Sequence, residues 1–290
     1  MVKLIFPFLM MIRALFVSCP CCQHGTSPDF DKYKLKEKYK LPGIIDESSG
    51  IVHVGSSYYT INDSGGEPVL YKLDSQFKLI DSIYINGFKN IDWEDLAFHD
   101  DYIYIGDFGN NANQRKNLRM IKYHLLTGTK ETIMFNYPDQ SDFPPGKKEY
   151  KNFDCEAMIW HDSSLILFTK SKKNNVPVNM YRIPDQSGQH VAEKIMQIPL
   201  KGKVTAASFD AQKNLLYLLT YGKIMVYNVQ GRNDSLDLNP VYCKTFIRSK
   251  QSEAISITPS QHIIITNEQR RVFEFMPVCK KENTNRACKK

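Results

Sequence analysis

One short pattern recurs five times along this chain at nearly even spacing, and few folds accommodate such a repeat. The copies read Glu47-Ser-Ser-Gly-Ile, Glu94-Asp-Leu-Ala-Phe, Glu156-Ala-Met-Ile-Trp, Thr205-Ala-Ala-Ser-Phe and Glu253-Ala-Ile-Ser-Ile, starting 47, 62, 49 and 48 residues apart. A β-branched or aromatic run follows each copy, at Tyr58–Ile61, Tyr102–Ile105, Leu165–Thr169, Leu215–Thr220 and Ile263–Thr266. That interval is the length of a propeller blade or a similar structural repeat. Units of this size bury their apolar faces only against one another, so one array is favoured over two small domains.

Four strands can be traced per unit. In the first they are Ser49–Val54, Tyr58–Asn62, Val69–Leu73 and Lys78–Ile85, and in the third the outermost is Val191–Ile198. The fifth unit supplies only Ile255–Ile257, Ile263–Asn267 and Arg271–Phe275, and its missing outer strand is available at the other end of the domain, in Tyr33–Leu41. Closure by that segment leaves no open sheet edge between the first and last units. The expectation is therefore an all-β propeller of five four-stranded blades, closed by the N-terminal strand. Six blades require that the long second interval hide an irregular unit, but its stretch Gln140-Ser-Asp-Phe-Pro-Pro-Gly reads as a protruding loop. A β-sandwich also uses short strands and frequent turns, without requiring one motif to recur.

The ends of the chain read as targeting and tether. Residues 1–18 form an expected signal peptide, 19–32 a tether, 33–278 the propeller and 279–290 a Lys-rich tail. Met1-Val-Lys3 is a basic start, Leu4 to Met11 is apolar, and Ser18 directly precedes Cys19, the position that a lipoprotein signal leaves for acylation. Export to the cell envelope with a lipid anchor at Cys19 is thus expected; secretion and a retained anchor are the alternatives. In an oxidising compartment Cys279 and Cys288 can close a loop in the tail, while Cys155 and Cys243 fall in strands as simple buried thiols. Cys19-Pro-Cys-Cys22 contains a C-x-x-C spacing, but no second pair at metal-site distance follows it. Without Lys3 and Arg13 of the leader, 36 bases face 31 acids, and the bases are scattered, which speaks against nucleic acid as a partner.

In a propeller the innermost strand starts, and the second strand ends, at the same rim of the central channel. Each repeated Glu precedes its innermost strand, so Glu47, Glu94, Glu156 and Glu253 are expected to gather at one channel mouth, with Thr205 in the remaining place. The second-strand ends add Asp63, Asp107, Lys170, Tyr221 and Glu268. Converging carboxylates repel one another and resist leaving water, so they call for a cation, protonation or a matched base. Lys170 neutralises one charge. The rest make a hard, oxygen-rich site of the type Ca²⁺ or Mg²⁺ prefers, with Asn62, Asn110 and Asn267 as neutral oxygen donors nearby. The plainer alternative is that each Glu accepts backbone N–H bonds from the neighbouring blade and holds no ligand. Trp93 suits packing between blades or stacking on a sugar. His99 and His161 fall in turns at the opposite face and read as solvated. Gly65, Gly66 and Gly109 read as turn positions, since no helix follows them to make a phosphate cradle.

The fragments Asn62-Asp-Ser-Gly-Gly, Asp92-Trp-Glu-Asp-Leu, Gly106-Asp-Phe-Gly-Asn-Asn, Asp154-Cys-Glu-Ala, Val204-Thr-Ala-Ala and Ser252-Glu-Ala-Ile resemble those of a family of exported bacterial β-propellers. They are more distantly similar to SdiA-regulated and phytase-like propellers. The resemblance spans roughly residues 40 to 275 and implies fold and export, with no particular activity. Calcium-dependent lactonase and esterase propellers place acidic and Asn ligands at the channel mouth, which by analogy agrees with a cation here.

No Gly-x-Ser-x-Gly elbow, His-Glu-x-x-His, phosphate-binding loop or dinucleotide fingerprint is present, so nucleophilic serine catalysis lacks support. Three functions stay open. The first is a tethered or secreted protein whose mouth holds a divalent cation or a polar ligand, with a glycan or a protein as partner. The second is a metal-dependent hydrolase of lactonase, esterase or phosphatase type. The third is a structural platform for protein interaction. Phytate is disfavoured, because six phosphates call for a basic mouth.

Overall fold

The computed structural model describes residues 33–147, 151–170, 176–200, 202–231, 236–245 and 251–277. The expected lipidation at Cys19 and the tail cysteines Cys279 and Cys288 lie outside these residues. The described chain is all-β, with no helix, and forms a β-propeller of five blades.

Each blade is an antiparallel meander running outward from the axis. Blade 1 consists of β2 (Ser48–Val54), β3 (Ser57–Asn62), β4 (Val69–Leu73) and β5 (Leu79–Tyr84). Blade 2 uses β6 (Trp93–His99), β7 (Tyr102–Asp107), β8 (Leu118–His124) and β9 (Lys130–Asn136). Blade 3 is built from β10 (Cys155–His161), β11 (Ser164–Thr169), β12 (Val178–Pro184) and β14 (Glu193–Ile198). Blade 4 holds β15 (Val204–Asp210), β16 (Leu215–Thr220), β17 (Lys223–Gln230) and β18 (Asp237–Thr245). Blade 5 has β19 (Ser252–Ile257), β20 (Ile263–Asn267) and β21 (Arg271–Pro277), and takes its outer strand from β1 (Tyr33–Lys40), which pairs antiparallel with β21. The ring is therefore closed by joining the two ends of the domain, as expected.

The apolar sequence runs follow from this arrangement. A blade is buried on both faces, so successive residues of a second strand serve different neighbours. Leu165 and Leu167 pack into the interface of blades 2 and 3, while Ile166 and Phe168 pack into that of blades 3 and 4. The strand thus reads as an unbroken apolar run rather than an alternating one. One buried cluster fills each of the five interfaces, the last joining Val272 and Ile264 of blade 5 to Ile51 and Tyr58 of blade 1. Cys155 is fully buried in the cluster between blades 2 and 3.

Two features depart from the expected tracing. The outer strand of blade 3 is divided: β13 (Gly188–Val191) crosses to blade 2 and pairs parallel with β9, and only the remainder, β14, stays in blade 3. The crossing covers what is otherwise an exposed edge. The second departure sets the site. Every innermost strand carries a β-bulge at its first turn of the ladder, between Ser48 and Gly50, Trp93 and Asp95, Cys155 and Ala157, Val204 and Ala206, and Ser252 and Ala254. The residue in the bulge is Glu94, Glu156, Thr205 or Glu253 in four blades, but Ser49 in the first. Glu47 thus stands two residues before its expected equivalents, and it is exposed.

Candidate functional site

A bulge leaves one residue unpaired and re-aims its side chain. Here that residue stands at the start of the innermost strand in all five blades, and the blades use it in two ways. Ser49 donates from Oγ to the carbonyl of Trp93 at 2.9 Å, and Thr205 from Oγ1 to the carbonyl of Ser252 at 2.7 Å, so the short hydroxyl residues tie their blade to the next. The three glutamates are not used in this way. Glu156 Oε2 accepts from Lys170 Nζ at 2.7 Å and Glu253 Oε1 from the Tyr221 hydroxyl at 2.9 Å. Glu156 Oε1, on a residue only 2% exposed, is buried with no hydrogen-bond partner.

The tightest group of acids straddles blades 1 and 2. Asp63, Asp92 and Glu94 each present a carboxylate oxygen, and these oxygens lie within 4.8 Å of one another. Asn90 holds them together: its Nδ2 donates to the carbonyls of Asn62 at 3.0 Å and Asp63 at 2.7 Å, and its Oδ1 accepts from Trp93 N at 3.1 Å. One buried amide therefore joins the end of β3 to the start of β6. Beneath the acids runs Gly109, whose N donates to Asp92 O. A Cβ at position 109 would overlap Glu94 Oε1 and the carboxyl of Asp92, so glycine leaves room for the two groups to meet. Asp154 Oδ1 accepts from Asn110 N at 2.8 Å, anchoring the same loop to blade 3.

Asp107 is displaced from the mouth. It pairs with Trp93 as Asn62 pairs with Ser48 and Thr169 with Cys155, so the position matching Asp63 and Lys170 belongs to Phe108. A one-residue shift along a strand reverses the face. The carboxylate accordingly turns into the blade, where Arg115 and Arg119 each approach it at 2.8 Å and Asp92 N donates to it at 3.3 Å. It supports Asp92 from behind. Lys170 and Tyr221 reach the mouth, with the ammonium 5.5 Å from the Tyr221 ring centre. Glu268 lies close enough to Glu253, Glu47 and Asp63 for their charges to act on it. Of the neutral donors, Asn110 and Asn267 spend their amide oxygens on the backbone N–H groups of Arg115 and Arg271. Trp93 is fully buried between blades 1 and 2.

Asp92, Asp154, Asn90 and Asp95 were not among the expected site residues. A signal for the first two exists, since the Asp-x-Glu spacing occurs twice, as Asp92-Trp-Glu94 and Asp154-Cys-Glu156. Asp95 follows the bulge at the position where the other blades carry Gly50, Ala157, Ala206 and Ala254. Completely buried, it accepts N–H bonds from Leu96 at 2.8 Å, Met158 at 2.9 Å and Ala207 at 3.3 Å, which belong to three different blades. A cavity of about 140 Å³ bounded by the innermost strands begins at these same residues, so Asp95 stands between it and the acids of the mouth.

Electrostatics at the mouth follow from burial of like charges. Burial, then Glu156, Asp63, Asp92 and Asp154, push the Glu94 carboxyl well above its ordinary range. Burial and Asp154 do the same to Glu156, against the pull of Lys170. Asp92 rises to about 6, through burial and then Asp63. Asp63 and Glu268 are also raised, burial being the largest cause for each. Lys170 is shifted upward: burial, the largest single influence, disfavours its ammonium, but the charge and hydrogen bond of Glu156 together with Tyr221 and Glu253 outweigh it. An acid whose folded-state pKa is raised binds more protons folded than unfolded, so stability falls as pH rises from the unfolded value through the folded one. The metal-free protein is therefore expected to melt several degrees higher at pH 5 than at pH 7.5, because Asp92, Glu94 and Glu156 each favour the protonated form. Thermal melts in chelator across that range check this; a melting point that rises steadily to pH 7.5 refutes it.

No family model matches this chain, and no curated protein matches it in sequence. Among solved structures, a streptogramin B lyase aligns with 86% of this chain and 99% of its own, at 11% identity and a TM-score of 0.47. A protein from Thermus thermophilus described as an oxidoreductase (glucose dehydrogenase) aligns over 84% and 100%, at 10% identity and a TM-score of 0.48. A gluconolactonase from Xanthomonas campestris aligns over 84% and 89%, at 8% identity and a TM-score of 0.47. The reading of the site rests on this chain's own residues.

Proposed function

We propose that this protein is an exported β-propeller, lipid-anchored at Cys19 or secreted, that holds a divalent cation at Asp63, Asp92 and Glu94 and uses it to bind a polar ligand at the channel mouth. The observation that carries the reading is the convergence of three carboxylates from two blades over a glycine that makes way for them. Such a cluster is costly without a positive charge, and its donors are hard oxygens with no His or Cys among them, which suits Ca²⁺ first and Mg²⁺ second. The unpartnered Glu156 oxygen, on a residue whose charge acts on Glu94, adds one more acceptor seeking a partner. Even with a divalent ion bound, Glu253 and Glu268 keep the mouth from turning basic, so polyanions are repelled and a neutral or singly anionic ligand is favoured.

Calorimetric titration of chelator-treated protein with CaCl₂ and MgCl₂ tests this. One-site binding of Ca²⁺ is expected, weakened at least about tenfold in Glu94→Gln and in Asp92→Asn, a change of about 1.4 kcal/mol. Absence of heat with both ions leaves the structural platform as the better account.

A second reading, a metal-dependent hydrolase, is favoured by Glu156 alone. A buried carboxyl with a raised pKa, bonded to Lys170 beside a cation site, has the character of a general acid or base. Turnover of an ester, lactone and phosphomonoester panel that disappears in Glu156→Gln, with the fold retained, decides for it.

A further inference from the structure

The face opposite the mouth carries a cleft of about 930 Å³. It is formed where the innermost strands of blades 2, 3 and 4 turn into their second strands, together with the end of β17. Its walls are aromatic and already ordered. His99 stacks on Trp160 with ring centres 3.2 Å apart and planes within 8°, and His161 meets Phe209 edge-on at 4.9 Å. The Trp160 indole donates to Asp185 Oδ2 at 2.8 Å, which fixes its orientation. These histidines lie at the opposite face and stay partly exposed, as the sequence pattern suggests, and each also belongs to an aromatic pair.

The polar groups lining the cleft are few, and Asp100 and Asp185 stand beside its aromatic rings, in contact with His99 and Trp160. Asp162 and Lys213 contribute one charge of each sign, and Asn214 and Asn228 contribute amides that both donate and accept. Asp162 and Ser163 both adopt left-handed backbone conformations, with φ of 49° and 57°, so the β10–β11 turn presents this carboxylate in a fixed position. Its Oδ2 is shielded from solvent and has no hydrogen-bond partner, an unsatisfied acceptor that a donor entering the cleft meets once the side chain rotates outward.

Ordered aromatic walls, an acceptor without a donor and a lining with one lysine as its base together describe the complement of a sugar ring. Its C–H face packs on aromatic rings, its hydroxyls donate to a carboxylate and exchange bonds with amides, and it carries no charge. We propose that this cleft binds a neutral oligosaccharide, independently of any cation at the opposite face. A single-stranded nucleic acid fits less well, since Lys213 is the one lysine or arginine among the cleft's described residues.

The protein supplies its own reporter, because it has two tryptophans and Trp93 is fully buried between blades. Emission from Trp160 is to be followed while the protein is titrated with neutral hexasaccharides of β-1,4-glucose, β-1,4-N-acetylglucosamine, α-1,4-glucose and β-1,4-mannose, with calorimetry on the same mixtures. At least one is expected to shift the emission saturably, with affinity reduced about tenfold or more in His99→Ala and in Asp162→Asn, the latter keeping a residue that tolerates the left-handed backbone. Glu94→Gln, at the other face, is expected to leave the affinity unchanged, so failure here and failure of the cation site are separable. The proposal is overturned if no sugar binds at millimolar concentration, if binding survives both cleft substitutions in folded protein, or if a dodecathymidine or a proline-rich peptide binds there instead.

Discussion

Replacing Asp95 with Ala is expected to destabilise the propeller by about 4 kcal/mol, more than any other single polar substitution at the channel mouth. The carboxylate accepts N–H bonds from Leu96, Met158 and Ala207, one from its own blade, one from the adjoining blade 3 and one from blade 4. Inward N–H groups of innermost strands have no further strand to pair with, so near the axis they need an acceptor from elsewhere. Removing it strands three buried donors, each costing about 1–3 kcal/mol unless water replaces the carboxylate. Burial pushes the Asp95 carboxyl well above its ordinary range, and the three N–H bonds work against that shift. Asp95→Asn keeps one acceptor oxygen but turns an amide N–H₂ toward a donor, so a smaller loss of about 2 kcal/mol is expected. Denaturant unfolding of the two variants beside the parent protein measures both. A loss below about 1 kcal/mol for Asp95→Ala means that the blades do not depend on this axial tie.

How much of this was legible in the sequence depends on what each residue has to match. Blade number and ring closure were legible because they rest on whole strands: Leu165 to Phe168 is apolar throughout since both faces are buried, and Tyr33 to Lys40 is the strand that blade 5 lacks. The rim was harder, because a bulge breaks the simple count from motif to face. Aligning Glu47 with Glu94 satisfies residue identity but not the ladder, in which Ser49 occupies the bulge. Asp107, adjacent to the matching position, turns into the blade and meets two arginines that lie eight and twelve residues further along. The residues that hold the acids in place left weaker traces. Asn90 sits in the connection between blades, where Asn is ordinary, and Gly109 looks like any turn glycine. Asp95 is the instructive case, since a charged residue at a position otherwise held by Gly or Ala breaks the repeat, and a broken repeat calls for a local reason.

Gly109→Ala is expected to weaken Ca²⁺ binding about 100-fold while every proposed ligand remains in place. This substitution separates a cation site from a mere collection of acids. Gly109 does not adopt the left-handed conformation that excludes Ala, so the backbone accepts the change. What the added methyl meets is the pair of carboxyls themselves, Glu94 Oε1 and the end of Asp92, and both must swing aside. For the metal-free protein the groups displaced are the ends of two side chains rather than backbone, which holds the net change in stability to about 1 kcal/mol. For the cation-bound protein the same movement removes two donors from one coordination sphere, and hard cations depend on several oxygens converging at about 2.4 Å. Stability without Ca²⁺ is therefore expected to stay near that of the parent, whereas the rise in melting temperature on adding Ca²⁺ disappears, because ligand stabilisation scales with the logarithm of concentration over Kd. Melting curves with and without Ca²⁺, read beside the titration heats, separate the two effects. A Gly109→Ala protein that binds Ca²⁺ as the parent does places the ion somewhere other than Asp63, Asp92 and Glu94. Loss of stability in both conditions alike makes Gly109 a packing residue and returns the acidic rim to the role of joining blades.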